Sequence, residues 1–242
     1  MALIENDDLA VNKKPRVPVC LLLDISPSMF QEEHPQTCKP RIETLVEGVS
    51  LFMDAIETDE VALDRADVSI VTFDRFQPKV IQDFANVEDI DRSFDIEEGD
   101  GTFIGEAINF TLDLLENRKI DYKKAGISYY QPWLVVFTDG EGNGDSGEFT
   151  KARKRIFQKI PDNGKKDLLF IPVNFGSDEG YETLSTLIPP ANSPKKPLSY
   201  NIDYREFFKW LAMSISEVTS SDTDVDYNPF SGANPLKGAD DE

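Results

Sequence analysis

Two cysteines and one histidine in 242 residues leave little of the chemistry that zinc sites and disulfide frameworks need. Cys20 falls in an apolar run and Cys38 in a polar loop, with no C-x-x-C spacing, so both read as free thiols and neither as a zinc ligand. The histidine, His34, sits beside Pro35 in "QEEHPQTCKP" and reads as a solvent-exposed loop residue rather than a catalytic base. Basic residues are scarce as well: 25 Lys and Arg against 45 Asp and Glu give a net charge of −20. That balance argues against a nucleic-acid backbone or an anionic membrane as partner and favours cations and basic surfaces. No run approaches the roughly 20 apolar residues of a membrane span. The opening "MALIENDDLAVNKK" lacks the cationic region and apolar run of a secretory signal, so a cytoplasmic protein is expected. Phosphate-cradling loops are missing too: no G-x-G-x-x-G follows the first apolar run, and there is no P-loop.

What is present alternates between short apolar runs and amphipathic stretches. "VPVCLLL" (17–23), "DVSIVTFD" (67–74), "QPWLVVFTDG" (131–140) and "DLLFIPVNFG" (167–176) are continuous enough to be strands buried on both faces, and "KVIQDFANV" reads as an edge strand. Between them, "RIETLVEGVSLFMDAI", "IGEAINFTLDLLENRK", the charged stretch around "EFTKARKRIFQKI", the short "GYETLSTLI" and "DYREFFKWLAMSISEV" (203–218) have helical spacing. The alternation predicts an α/β fold: a doubly wound, mostly parallel central sheet with one antiparallel edge strand and helices on both faces. Residues 1–15 read as an N-terminal extension, 16–219 as one domain, and 220–242, acidic and poor in aliphatics, as a disordered tail.

Two buried strands run into aspartate, Asp24 and Asp139, and in a parallel sheet both would lie on the carboxyl edge where ligands bind. After the first, Asp24, Ser26 and Ser28 form D-x-S-x-S, three hard oxygens that a turn can aim at one point, as Mg²⁺ requires. The bland alternative is a strand-to-helix turn with serine caps. Thr102, after the flexible Gly99-Asp100-Gly101 turn in "GDGTFIGEAI", can serve as a helix cap or as a metal ligand. Glu141 and Asp145 near the same rim read as a solvated loop, and Asp74, which ends another strand, stays outside the metal set.

Together, D-x-S-x-S at 24–28, Thr102 and T-D-G at 138–140 resemble the metal-ion-dependent adhesion site of von Willebrand factor A (VWA) domains, in the family's order and over residues 16–219. Within that superfamily, "VPVCLLLDISPSM", "GDGTFIGEAI" and "FFKWLAMSISEVTSS" look most like the bacterial TerY/YegL-type proteins associated with tellurite resistance and chemical stress. The resemblance implies a Rossmann-like VWA fold and a Mg²⁺ site, with Mn²⁺ or Ca²⁺ as substitutes. In it Ser26, Ser28 and, with a ligand bound, Thr102 coordinate directly, while Asp24 and Asp139 act through ordered waters. It implies no catalysis. A partner protein would supply an Asp or Glu to the metal, with kinase- or phosphatase-like proteins as candidates and no role for nucleic acid or membrane. Pro27 departs from the family's usual small residue, which puts the placement of Ser28 in question. The partner must also bring enough basic surface to offset the acidity of this chain. The main rival is a Mg²⁺-dependent phosphatase or phosphotransferase of similar fold. Haloacid-dehalogenase-type enzymes place a nucleophilic aspartate after the first strand, but they need an acid two positions on, where this chain has Ser26.

Overall fold

A computed structural model describes residues 9, 12–140, 144–176, 178–199, 203–220, 223 and 228–230. Five strands form one sheet: β1 (Val17–Asp24), β2 (Ala66–Phe73), β3 (Lys79–Ala85), β4 (Trp133–Thr138) and β5 (Leu169–Asn174). Their spatial order is β3-β2-β1-β4-β5. β1 pairs in parallel with β2 and β4, β5 runs parallel to β4, and β3 is the antiparallel edge. The doubly wound, mostly parallel architecture expected from the sequence is therefore the one observed.

The apolar runs behave as two-sided strands because each supplies two layers of core. From β1, Val17, Val19, Leu21 and Leu23 face one layer, while Cys20 and Leu22 face the other. Against the first layer pack α2 (Arg41–Glu57) and α7 (Tyr204–Thr219), with the short α3 (Glu60–Arg65) beside them. Against the second pack α4 (Ile104–Ala125) and α5 (Ser146–Lys159), while α6 (Asp178–Thr186) adds Leu184. The α2–α7 crossing is close: a Cβ at Gly48 would come within 2.0 Å of the Phe208 ring. At the start of α4, a Cβ at Gly105 would fall 2.5 Å from the backbone nitrogen of Phe149 in α5. Side chains at either position would push the layers apart.

Strand order has a direct consequence for ligand binding. From β1 the chain moves to one side to make β2 and β3, then crosses back to lay β4 on the other side. The carboxyl ends of β1 and β4 thus flank the topological switch point, where an open α/β sheet leaves a crevice. The loops after β1, β4 and β5 and the segment before α4 all reach this edge.

Several details depart from the sequence reading. A five-residue helix, α1 (Pro27–Gln31), follows β1, with Pro27 in its first turn. That position suits proline, whose missing N–H would have no helical partner there anyway. α4 runs on to Ala125 and ends at Gly126, whose φ of 68° provides the left-handed cap. His34 is the clearest correction. It is 1% exposed, with its ring 5.3 Å from Phe175 and 6.0 Å from Tyr204, because the 32–40 loop folds back between the ends of β5 and α7. Burial, then the nearby Arg41 charge, holds its pKa below the usual histidine value. Both cysteines are free. In the C-terminal segment, Phe230 packs on Trp210 at 4.8 Å between ring centres, and most of the remainder lies outside the described residues. Among the described residues no helix is long and apolar enough to cross a membrane.

Candidate functional site

The switch-point crevice gathers the residues singled out from the sequence. Asp24, the last residue of β1, is fully buried. One of its carboxylate oxygens accepts the Ser26 N–H at 2.8 Å, and the other accepts the hydroxyl of Thr138, the last residue of β4. The neighbouring strands are thus tied at their carboxyl ends through this carboxylate. Burial pushes its pKa up to about 7, the negative charge of Asp139 adds to the rise, and the hydrogen bonds from Thr138 and Ser26 oppose it. Among the described residues no cationic side chain pairs with Asp24.

Ser26 occupies the N-cap position of α1, yet its hydroxyl makes no cap bond and lies 3.2 Å from the Ser28 hydroxyl. The cap reading of the serines therefore leaves both hydroxyls uncommitted to the helix. Pro27, by starting α1 at once, turns Ser28 back toward β4, where its Oγ donates to Asp139 Oδ1 at 2.8 Å. Ser28 thus faces Asp139 across the crevice.

Thr102 arrives on a separate segment. The loop before α4 is pinned by Gly99 N–H to Ile25 C=O at 2.8 Å, Arg75 N–H to Asp100 C=O at 2.7 Å and Phe103 N–H to Asp74 C=O at 3.1 Å. The Asp74 carboxylate accepts the Phe76 N–H at 2.7 Å on one oxygen and the Asp100 N–H at 3.4 Å on the other, so it ties the β2–β3 turn to this loop. The helix cap position falls on Phe103 and carries no side-chain cap bond, which corrects the capping alternative for Thr102. Thr102 Oγ1 instead lies against Gly140, where a Cβ would come within 3.2 Å of it. Glycine after Asp139 is what admits the hydroxyl. Asp24, Ser26, Ser28 and Asp139 are thus joined by hydrogen bonds from two segments, and Thr102, on a third, lies against Gly140, the neighbour of Asp139. Asp145 caps α5 by accepting the Gly147 N–H at 2.6 Å, and Glu141 lies outside the described residues.

Sequence reasoning missed Arg41. It opens α2, and its Nη1 lies 2.6 Å from Asp139 Oδ2 and 2.8 Å from Glu32 Oε2. A cation in the first turn of a helix opposes the helix dipole, which marks Arg41 as unusual even from sequence. Gly176, just beyond β5, makes room for it: a Cβ there would fall 2.3 Å from the guanidinium carbon. Thr138 was likewise missed, although T-D-G was legible as a motif. The finished arrangement is the buried carboxylates of Asp24 and Asp139, the hydroxyls of Ser26, Ser28 and Thr138 hydrogen-bonded around them, Thr102 against Gly140, and Arg41. Among the described residues no group of three or more His, Cys, Asp or Glu is placed to hold a metal ion, so any ion here would rest on hydroxyls and water as well as carboxylate.

No protein-family model matches the sequence, and no curated protein sequence does either. Solved structures share the architecture. The VWA domain of SpRpn10 is similar at 15% identity over 81% of this chain and 95% of that one, with a TM-score of 0.56. The pilus adhesin SpaC from Lactobacillus rhamnosus GG is similar at 12% identity over 85% of this chain, with a TM-score of 0.60. The chain has a VWA-like fold. The PilB minor pilin from Streptococcus sanguinis, at 12% identity and a TM-score of 0.54, carries a similar fold over 86% of this chain. This chain spans 62% of that pilin and 31% of the adhesin, so the VWA-like fold is one part of each of those longer chains.

Proposed function

We propose that this VWA-like domain is a non-catalytic protein-binding module whose switch-point site holds one Mg²⁺ ion and, through it, an Asp or Glu of a partner protein. The observation that carries this reading is the pair of Ser26 and Ser28 hydroxyls beside the buried carboxylates of Asp24 and Asp139, with Thr102 against Gly140, the next residue after Asp139. The donor set suits a hard cation: every candidate atom is oxygen, and Mg²⁺, Mn²⁺ or Ca²⁺ all accept such ligands. Charge supports it as well. Asp24 is buried with no cationic side chain against it among the described residues, and a carboxylate desolvated without a counter-charge is costly.

Ser26 and Ser28 would bind the ion directly, since a hydroxyl that donates to a carboxylate, as Ser28 does to Asp139, still has a lone pair to offer a cation. Thr102 would join them on the other side. Asp24 and Asp139 would orient bound water, Asp24 as a buried acceptor fixed by Thr138 and Ser26 and Asp139 as the acceptor of the Ser28 hydroxyl. With a shell poor in charge, a bound Mg²⁺ keeps an open position that attracts an incoming carboxylate. The phosphotransferase alternative is less well supported: both oxygens of Asp24 are engaged and the side chain is fully buried, which suits an orienting group better than a nucleophile.

The setting we propose is a cytoplasmic bacterial stress-response or conflict system of the tellurite-resistance type, with kinase- or phosphatase-like proteins as candidate partners. Its support is the resemblance of the strand-one, Thr102 and terminal-helix segments to TerY/YegL-type sequences, together with two free cysteines. The test is affinity capture from native lysate by the intact chain in Mg²⁺, in chelator, and by Thr102→Ala in Mg²⁺. A partner retained by the intact chain with Mg²⁺ and lost in the other two arms is the expected result. Equal capture in all three would overturn the metal bridge.

A further inference from the structure

We propose that Arg41 is the resident counter-cation of Asp139 and that a divalent ion holds at this site in competition with its guanidinium. This inference rests on the cation-site reading above and says what sets the affinity of that site.

The placement of Arg41 is a compromise. Its Nη1 serves two carboxylates at once, Asp139 at 2.6 Å inside the site and Glu32 at 2.8 Å outside it. Its Nε is buried with no hydrogen-bond partner. An unpaired N–H on a buried charged group is costly, so the pose persists because of what the guanidinium gains from Asp139. The two carboxylates differ in surroundings. Asp139 is buried at the end of β4, whereas the Glu32 side chain is 58% exposed just past α1. Buried charge pairs interact far more strongly than exposed ones, so without a second cation Asp139 dominates.

Asp139 is also the carboxylate that receives the Ser28 hydroxyl, so guanidinium and hydroxyl meet on opposite oxygens of a single group. Positive charge brought among Ser26, Ser28 and Thr102 therefore sits one carboxylate away from the guanidinium, and the two repel. Glu32 relieves that repulsion. With Nη1 already within reach of it, Arg41 can give up Asp139 and keep a partner at the rim. Asp139 is then free to orient the ion's water, and the arginine, held beside the opening, presents positive charge to the incoming acidic residue. This gives an otherwise acidic chain a local means of receiving a carboxylate.

Two substitutions move the competition in opposite directions, which a merely structural tie would not do. Mg²⁺ titration of the full chain by calorimetry compares the parent with Arg41→Gln and Glu32→Gln, and a melt confirms that each variant is folded. Arg41→Gln removes the competing charge and is expected to bind Mg²⁺ about tenfold more tightly. Glu32→Gln, on an exposed side chain, removes the outer partner and is expected to weaken binding severalfold. Unchanged affinity in both variants would overturn the competition and leave the cation site standing. Weaker binding in folded Arg41→Gln would also overturn it. Absence of saturable Mg²⁺ binding in all three proteins would overturn the cation-site reading and this inference with it.

Discussion

Asp24→Asn will give a folded protein whose stability needs about 10–100-fold more Mg²⁺ to rise as the parent's does. The parent is expected to melt at higher temperature as Mg²⁺ is added, because an ion that binds the folded state alone stabilises it by about 2.7 kcal/mol at one hundred times its dissociation constant. Asparagine keeps the size of Asp24 and can still accept the Ser26 N–H, while the Thr138 hydroxyl can turn to serve the new amide. The negative charge is gone, and with it the acceptor that would hold the ion's water. Groups that orient metal-bound water typically carry about 10–100-fold in affinity. Melts of both proteins in chelator and across a Mg²⁺ series check this. A Mg²⁺-dependent rise in Asp24→Asn equal to that of the parent would mean that Asp24 has no part in cation binding.

The largest loss of stability is expected at the opposite end of the sheet. Asp67, near the start of β2, is fully buried and takes Arg118 in a bidentate pair, Nε to Oδ2 at 2.7 Å and Nη2 to Oδ1 at 3.0 Å. The Tyr122 hydroxyl donates to the same carboxylate. Arg118 also lies 5.4 Å from the Phe84 ring centre and 5.1 Å from that of Tyr122, so its charge is enclosed by aromatic faces and by Asp67. Burial raises the Tyr122 pKa, and the Asp67 charge raises it further. Asp67→Ala would strand the guanidinium and the phenol in the core. Removing one member of a buried ion pair costs about 3–5 kcal/mol, and at this chain length each kcal/mol shifts Tm by about 2–4 °C. Urea and thermal denaturation in chelator measure it. A loss below about 1 kcal/mol would show that water or a neighbour replaces Asp67.

The contrast between these two carboxylates, one enclosed with its cation and one without, was invisible in the sequence, where both are aspartates at strand ends. What the sequence does carry is the pattern of the sheet. "VPVCLLL" and "WLVVFT" read correctly because a strand buried on both faces needs an unbroken apolar run, and the residue that ends it marks the carboxyl edge. Asp24 and Asp139 were legible as carboxylates at the carboxyl ends of buried strands, whereas Ser26, Ser28 and Thr102 could each be read as caps and were grouped with them only through the resemblance to the VWA metal site.

Other features depend on long-range packing. His34 looked exposed because its neighbours in sequence are polar, yet its ring is covered by Phe175 and Tyr204, residues more than a hundred positions away. Helices α1 and α3, of five and six residues, are too short to display a helical period. The last turns of α4 hide Tyr122 among "KIDYKKA", where charged residues mask a single buried aromatic. Arg41 went unread because its partner is Asp139, 98 positions on, and the one local sign was a cation at the wrong end of a helix.

Calorimetric titration of the intact, chelator-stripped chain with Mg²⁺ tests the central claim most directly. One saturable ion per chain, with binding abolished in the Ser26→Ala, Thr102→Ala double variant, is the predicted result. A parent chain that shows no saturable Mg²⁺ binding, or a double variant that binds as the parent does, would contradict it.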